Sequence, residues 1–308
     1  MNNIKLSFRK RLKKDFIKNY EIYLMAIPII LFYAIFCYKP MYGAFMAFTD
    51  YVPKNGIIGS KFVGLKHFIS FFNSVYFCRI LSNTLFISCM TIIFGFPSPI
   101  ILALLMNELR SKWFTKTVQT ITYLPHFISL VVICGMIKDF VSDIGIIGNL
   151  IGKITGDPQS LLNIPKYFVP IYVISDIWQE AGWGSIIYLS ALMSVDQQLY
   201  EAARIDGAGR WKQTIHITIP GIMPTIVVML IIRLGSILGV GFEKIILIYN
   251  PAIYNVSDVI STFVYRKGLL EYNYSYSAAV GLFNSVINLI FLFGSNYLSR
   301  RINNTSLW

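Results

Sequence analysis

Charge is scarce in this chain. Of its 308 residues, 14% are Asp, Glu, Lys or Arg and 55% are hydrophobic, whereas a soluble domain carries about a quarter charged residues. That deficit argues against a water-soluble globular enzyme. Cysteine is nearly missing as well. Cys37, Cys78, Cys89 and Cys134 stand apart, with no C-x-x-C pair and no histidine nearby. This removes a disulfide framework or a zinc site and leaves four small hydrophobes in or near apolar segments. His67, His126 and His216 form neither a triad nor a metal spacing, and no chemistry is assigned to them. There is no phosphate-cradling G-x-x-x-x-G-K-[ST] loop, since Gly207-Ala208-Gly209-Arg210-Trp211-Lys212 fails on spacing. Nucleophile elbows, H-E-x-x-H and paired-carboxylate motifs are also missing. The chain therefore carries no hydrolytic machinery, and no cofactor or metal ion is expected on it.

What is present in abundance is long apolar sequence. Six runs, at roughly 21–38, 81–106, 118–138, 167–192, 222–242 and 278–298, are each long enough to cross about 30 Å of hydrocarbon at about 1.5 Å per residue. No lipid-exposed backbone is tolerated in a bilayer, so each run is expected to be helical. The formal charge of +12 lies between these runs rather than in one stripe with interleaved aromatics, which speaks against nucleic acid. Lys5, Arg9, Lys10, Arg11, Lys13, Lys14 and Lys18 precede the first run, and Arg110, Lys112 and Lys116 follow the second. Arg204, Arg210 and Lys212 follow the fourth, and Arg300-Arg301 follows the sixth. With six crossings all four groups fall on one face, which the positive-inside rule makes cytoplasmic. The first run has a basic flank but no small-x-small cleavage site before Tyr38-Lys39-Pro40, so it reads as a retained helix. The expected organisation is a basic tail over 1–20, a first helix and outer loop over 21–74, a membrane core over 75–300 and a short tail over 301–308.

Breakers and charges inside the runs mark candidate sites. Pro97 and Pro99 fall in the second run, Pro125 early in the third, and Pro220 and Pro224 at the start of the fifth. Each marks a packing kink or the lining of a cavity. An ionised group at a helix centre costs about 2.5–3.5 kcal/mol on insertion scales, so Asp176, Glu180 and Arg233 each require a partner or a wet cavity. Asp176 and Glu180 are one turn apart and share a face with Gln179 and Trp183. Two readings are open here. This face, with Trp178 or Trp183 as an aromatic surface, lines a polar translocation path, or a Glu180–Arg233 ion pair pins two helices. Asn284 and Asn288 form another one-turn polar pair, as interhelical glue or solute contact.

A polar loop between the fourth and fifth runs carries the most specific signal. Glu201-Ala202-Ala203 is followed by Asp206-Gly207, then by Ile217-Thr218-Ile219-Pro220 and Pro224. Good helix formers, an abrupt glycine and a closing proline predict two short helices at a sharp angle. The pattern from Glu201 to Pro220 resembles the EAA loop of inner-membrane permeases of binding-protein-dependent ABC importers, with Ile219 standing where the family has leucine. Trp178, Gly182, Tyr188-Leu189, Leu192 and Tyr200 are similar to the carbohydrate-uptake, maltose-type branch. Tyr123-Leu124-Pro125-His126-Phe127-Ile128-Ser129, Gly241-Phe242-Glu243-Lys244, Tyr249-Asn250-Pro251 and Asp258-Val259-Ile260-Ser261-Thr262 resemble its LplB-like oligo- and polysaccharide permeases.

The resemblance, which spans about 75–300, implies an all-α, six-helix type I ABC importer permease (MetI-like) fold in a bacterial cell membrane, with both termini cytoplasmic. It implies that the loop at 199–220 is a coupling helix. Glu201, Ala202, Ala203, Asp206, Gly207, Ile217 and Pro220 would form or support its docking surface on a separate ATP-binding subunit. ATP and Mg would be used by a dimer of those subunits, not by this chain. The remaining partners implied are a second, non-identical permease, an extracytoplasmic solute-binding protein, membrane lipid and a carbohydrate. Alternatives are an ABC permease for a non-sugar solute and an ATP-independent polytopic membrane protein. The coupling assignment predicts that Glu201→Lys abolishes uptake and releases the ATP-binding subunit on purification. An intact, fully transporting mutant complex would contradict it.

Overall fold

Proline shapes the architecture more than any other residue. The computed structural model describes residues 15–156 and 160–303, so most of the basic tail read over 1–20, and residues 304–308 of the terminal tail, lie outside the described residues. Helix α1 spans Tyr20–Phe48 and leads into a hairpin, β1 Thr49–Val52 and β2 Gly56–Phe62, paired antiparallel with Thr49 opposite Phe62. Then follow α2 Lys66–Phe72, α3 Phe77–Asn107, α4 Lys112–Tyr123, α5 Leu130–Val141 and α6 Ile146–Thr155. The second half contains α7 Pro165–Leu192, α8 Gln197–Ile205, α9 Arg210–Leu234, α10 Phe242–Ile248, α11 Tyr254–Ser257, α12 Ile260–Tyr265 and α13 Tyr274–Asn303. Among the described residues four of these, α1, α3, α9 and α13, are long and apolar enough to cross a membrane.

Proline lacks the N–H that a helix needs, and its ring crowds the carbonyl one turn back. Three helices answer this in the same way, by widening the turn before the proline into a π turn. Tyr33–Tyr38 precedes Pro40, Thr91–Gly95 precedes Pro97 and Thr214–Thr218 precedes Pro220. In the second case Phe96 N–H reaches back to the Thr91 carbonyl at 3.1 Å. The helices bend without ending, so α9 runs unbroken from the polar loop into the apolar core. The second short helix expected in that loop is therefore only the first turn of α9.

Two expected spans are broken. The third run, read as one helix over 118–138, divides at Leu124–Phe127 into α4 and α5 because Pro125 cannot continue the α-helical ladder. The fifth, read over 222–242, stops at Leu234. Gly235, Gly239 and Gly241 fall within the next seven residues and make helix continuation costly. Side chains satisfy the unwound backbone. Leu238 N–H donates to Asn288 Oδ1 at 2.9 Å, Gly241 N–H donates to the Tyr172 hydroxyl at 3.2 Å, and Ser88 Oγ donates to the Ile237 carbonyl. Irregular backbone at membrane depth requires such partners.

Packing gathers around α7. Phe168, Tyr172 and Val173 join Ile87 of α3, Cys134 of α5, and Ile245 and Ile248 of α10 in one buried cluster. A second cluster joins Phe71, Ile80, Leu238, Ile260, Phe263 and Val280, with Phe71 making edge contacts to Phe77 and Phe283. At the other end of α7, Tyr188 and Leu192 pack with Ala103 and Ile222. None of residues 20–32 of α1 is buried.

Electrostatics hold the hairpin and the loops near it. Asp50 accepts from the Lys66 ammonium at 2.8 Å and lies 3.0 Å from His67 Nε2. The Lys66 hydrogen bond holds its carboxyl below the usual carboxylate range. Tyr51 N–H donates to Ser275 Oγ at 2.8 Å, fastening the hairpin to α13. Deeper, fully buried Asp258 accepts from Arg266 at 2.6 and 3.2 Å and from Thr262 at 3.0 Å, with Arg79 at 3.7 Å. Removing one partner of a buried pair strands the other charge and costs about 3–5 kcal/mol. Asp258→Ala is accordingly expected to lower the thermal midpoint of the detergent-solubilised protein by several degrees, whereas Asp50→Ala, on an exposed clasp, leaves it nearly unchanged.

Candidate functional site: a charged cavity and a braced polar loop

Helix α7 carries the polar face expected from its spacing, and the breaks in its neighbours complete a cavity against it. The cavity measures about 790 Å³, within the roughly 300–1,000 Å³ usual for ligand sites. Asp176, Gln179, Glu180 and Trp183 of α7 line it, together with Tyr172, Arg233 at the end of α9, and Glu243 and Lys244 at the start of α10.

Of the two readings of this face, the Glu180–Arg233 ion pair is not formed among the described residues. Glu180 instead meets His126, whose Nδ1 lies 3.0 Å from Oε2. The His126 ring stacks on Trp183 at 4.6 Å between centroids and 1° between planes, and Phe127 meets Trp183 edge-on at 5.5 Å. The break at Pro125 makes this possible, because a continuous third helix would carry His126 past α7. Gly182 contributes too: a Cβ there would sit 1.9 Å from the Thr122 carbonyl oxygen, so only glycine lets the end of α4 approach so closely. His126 and Glu180 are 54 residues apart, and no local spacing signals the pair. The only hint was His126's place in the Tyr123–Ser129 stretch.

Lys244 is the second residue that spacing did not single out. Its side chain is 4% exposed, and its ammonium lies 3.7 Å from Asp176 Oδ1 and 5.5 Å from the centre of the Tyr172 ring. Among the described residues the ammonium makes no hydrogen bond. Asp176 thus has a cationic neighbour that the sequence reading did not supply, while Arg233 makes no ion pair among the described residues.

Three candidate path residues fall elsewhere. Trp178 points away from the cavity into a separate apolar groove lined by Ile133, Phe140, Ile147 and Tyr167. One residue of helix rotation separates it from Ile177 and Gln179, which do line the cavity. Asn288 is occupied by Leu238 N–H, the glue role. Asn284 borders another groove beside Ser261 and Tyr265, and its Oδ1 is buried without a hydrogen bond among the described residues.

The polar loop has a defined geometry. Asp196 caps α8 by accepting from Gln198 N–H at 2.9 Å. At the other end Gly207, at φ +76°, is the left-handed residue of a Schellman closure. Ala208 N–H reaches the Ala203 carbonyl at 2.8 Å, and Gly207 N–H the Arg204 carbonyl at 3.1 Å. Gln213 Nε2 then donates to the Ala208 carbonyl at 2.7 Å, and Arg210 meets Glu108 at 3.1 Å across to the end of α3. Tyr200 and Thr218 hydroxyls lie 2.9 Å apart, tying α8 to α9. This bracing leaves Glu201, Ala202 and Asp206 on the surface, with Ile205 87% and Trp211 75% exposed. Ile217 and Pro220 belong to α9, where Ile217 packs beside Tyr188 and Leu192 and Pro220 stays exposed. A rigid loop presenting apolar side chains is built to be covered.

Comparison with known proteins agrees with this geometry. Residues 95–304 match the family described as binding-protein-dependent transport system inner membrane component. The chain is 42% identical over 304 residues to Protein LplB of Bacillus subtilis (strain 168), covering 98% of this chain and 94% of that one. It is also 42% identical over 301 residues to the polygalacturonan/rhamnogalacturonan transport system permease protein YteP of the same organism, covering 97% and 94%. Among solved structures, one chain of a bacterial ABC transporter involved in the import of the acidic polysaccharide alginate superposes with a TM-score of 0.87 at 46% identity, covering 95% of this chain and 99% of that one. A chain of the alginate transporter in complex with alginate pentasaccharide-bound periplasmic protein gives 0.88 at 46%, covering 96% and 100%. The helical, multi-pass chain, with its braced loop and membrane cavity, belongs to the family of binding-protein-dependent transport system inner membrane components.

Proposed function

We propose that the chain is one of two transmembrane halves of an ATP-driven importer that passes an oligosaccharide from an extracytoplasmic solute-binding protein into the cytoplasm. In this reading the chain crosses the membrane six times, with α4 and α5 together making the third crossing and both termini cytoplasmic. The observation that carries it is the near-full-length likeness, at 46% identity, to a chain of the alginate importer. The cavity is consistent with a sugar. Trp183, backed by His126, offers a flat face to a ring, while Gln179 and Asp176 offer hydrogen-bond partners to hydroxyls.

ATP and Mg belong to a dimer of separate ATP-binding subunits, which Glu201, Ile205 and Trp211 would meet; a helix seated in a groove is a common recognition mode. A second, non-identical permease would close the open side of the cavity. Alternating access then requires ligand or ATP to stabilise one of two arrangements over the other. In proteoliposomes containing both permeases, the ATP-binding subunits and the solute-binding protein, oligosaccharide uptake should depend on ATP. Uptake by this chain alone without ATP would overturn the reading. A second test concerns coupling. A Cβ at Gly207 meets nothing within 4 Å in this chain, so Gly207→Trp should cost the fold only the left-handed strain of about 1–2 kcal/mol. The ATP-binding subunit should nonetheless dissociate, as read by co-purification alongside a thermal melt.

A further inference from the structure

Away from the charged cavity, α5 and α7 stand apart and leave a groove of about 360 Å³. Ile133, Ile137 and Phe140 form one wall and Ile171, Ile174 and Trp178 the other, each set at the three- and four-residue spacing that keeps one helix face. Ser175 also borders the groove, but its Oγ already donates to the Tyr172 carbonyl at 2.9 Å. At one end α6 folds across, bringing Ile147 and Ile151 into the lining. Two glycines permit this fold-back: a Cβ at Gly145 would sit 2.1 Å from the Asp139 carbonyl oxygen, and one at Gly148 1.7 Å from that of Ser142.

The dimensions of the groove select its occupant. From Tyr167 at the α6 end to Trp178 the α7 wall runs roughly 16 Å at about 1.5 Å per residue, close to half of a hydrocarbon layer about 30 Å thick. Spread over that length, the volume gives a section of roughly 22 Å², whereas a helix about 10 Å across needs roughly 80 Å². The groove admits one extended chain and no helix. Ile174 is 67% and Trp178 48% exposed, so nothing among the described residues covers this wall. Water is no substitute, because an apolar groove at membrane depth gives it no hydrogen-bond partners.

The α6 end is chemically marked. The Lys166 ammonium lies 4.7 Å from the centre of the Tyr167 ring, an aromatic and cationic pairing that suits the headgroup level. Lys138 is exposed on the last turn of α5, but so are Asp139 and Asp143 near it. No positive patch singles out an anionic headgroup, and a phosphate, which every phospholipid carries, suffices for Lys166.

We propose that this groove is a phospholipid site: one acyl chain lies along α7 from Tyr167 to Trp178, its methyl end against Trp178, and Lys166 takes the phosphate. In the crossing order proposed above the lipid belongs to the outer leaflet. Its chain sets the spacing of α5 and α7, the two helices whose continuations carry the His126–Trp183 stack.

The test titrates the complete importer in detergent with phosphatidylcholine brominated near the chain end, and reads the part of the tryptophan emission that Trp178→Phe removes. That emission should fall and saturate, and lipid brominated near the headgroup should quench it less. Ile137→Phe, which fills the groove, should reduce the quenching by at least about twofold with assembly unchanged; Ile174→Phe serves instead if that variant does not assemble. Lys166→Glu should raise the lipid concentration for half quenching about threefold or more, the worth of an exposed charge contact. Quenching that rises without saturating, or that groove-filling leaves intact, is ordinary lipid contact and overturns the site. No quenching in the importer means that the sibling permease covers the groove, which overturns it as well. None of these readings depends on the transported solute or on which leaflet is the outer one.

Discussion

A bilayer offers no water to an unpaired backbone group, and this constraint organises the whole molecule. The chain contains prolines and glycines that would leave such groups bare, yet each break has a partner waiting. Before Pro97 and Pro220 a π turn keeps the helix continuous. Where α9 finally unwinds, Asn288, Tyr172 and Ser88 take up the freed N–H and C=O groups from three different helices. The same contacts that satisfy the backbone therefore fix α3, α7 and α13 around the break. The cavity occupies the space that this break opens.

Charge follows the same logic. Every ionised side chain at membrane depth must find a counter-charge or water, and the pairings decide what remains for a ligand. His126 takes Glu180, and Lys244 stands against Asp176. These two pairs anchor α5's approach and α10 to the polar face of α7. They also account for the wall's chemistry, because they consume the carboxylates nearest the middle of α7 and leave a guanidinium exposed.

Much of this was legible in the sequence, and the failures share one cause. Helical periodicity put Asp176, Gln179, Glu180 and Trp183 on a single face, and all four line the cavity. The spacing from Glu201 to Pro220 located the loop, and Gly207 has the positive φ that its position demanded. Periodicity could not place Trp178, which one residue of rotation turns into another groove. Nor could it find His126 or Lys244, whose partners lie 54 and 68 residues away and meet only because Pro125 and the Gly235–Gly241 segment interrupt the expected spans. The Glu180–Arg233 pair was one of two readings left open by the cost of intramembrane charge, a cost that says nothing of which helix face a break will present. Local rules read the unbroken segments, and tertiary contacts decided the broken ones.

One geometric consequence links the two sites. Helix α9 begins at Arg210, inside the braced loop, and ends at Leu234, one residue past Arg233 in the cavity. At about 1.5 Å per residue this is roughly 37 Å of continuous helix, bent at the π turn Thr214–Thr218 before Pro220, with Pro224 near its middle. The loop itself is stiffened by the Schellman closure, the Tyr200–Thr218 contact and the Arg210–Glu108 pair. The braced loop and the cavity residue Arg233 thus sit on one continuous helix rather than on segments joined by a flexible linker.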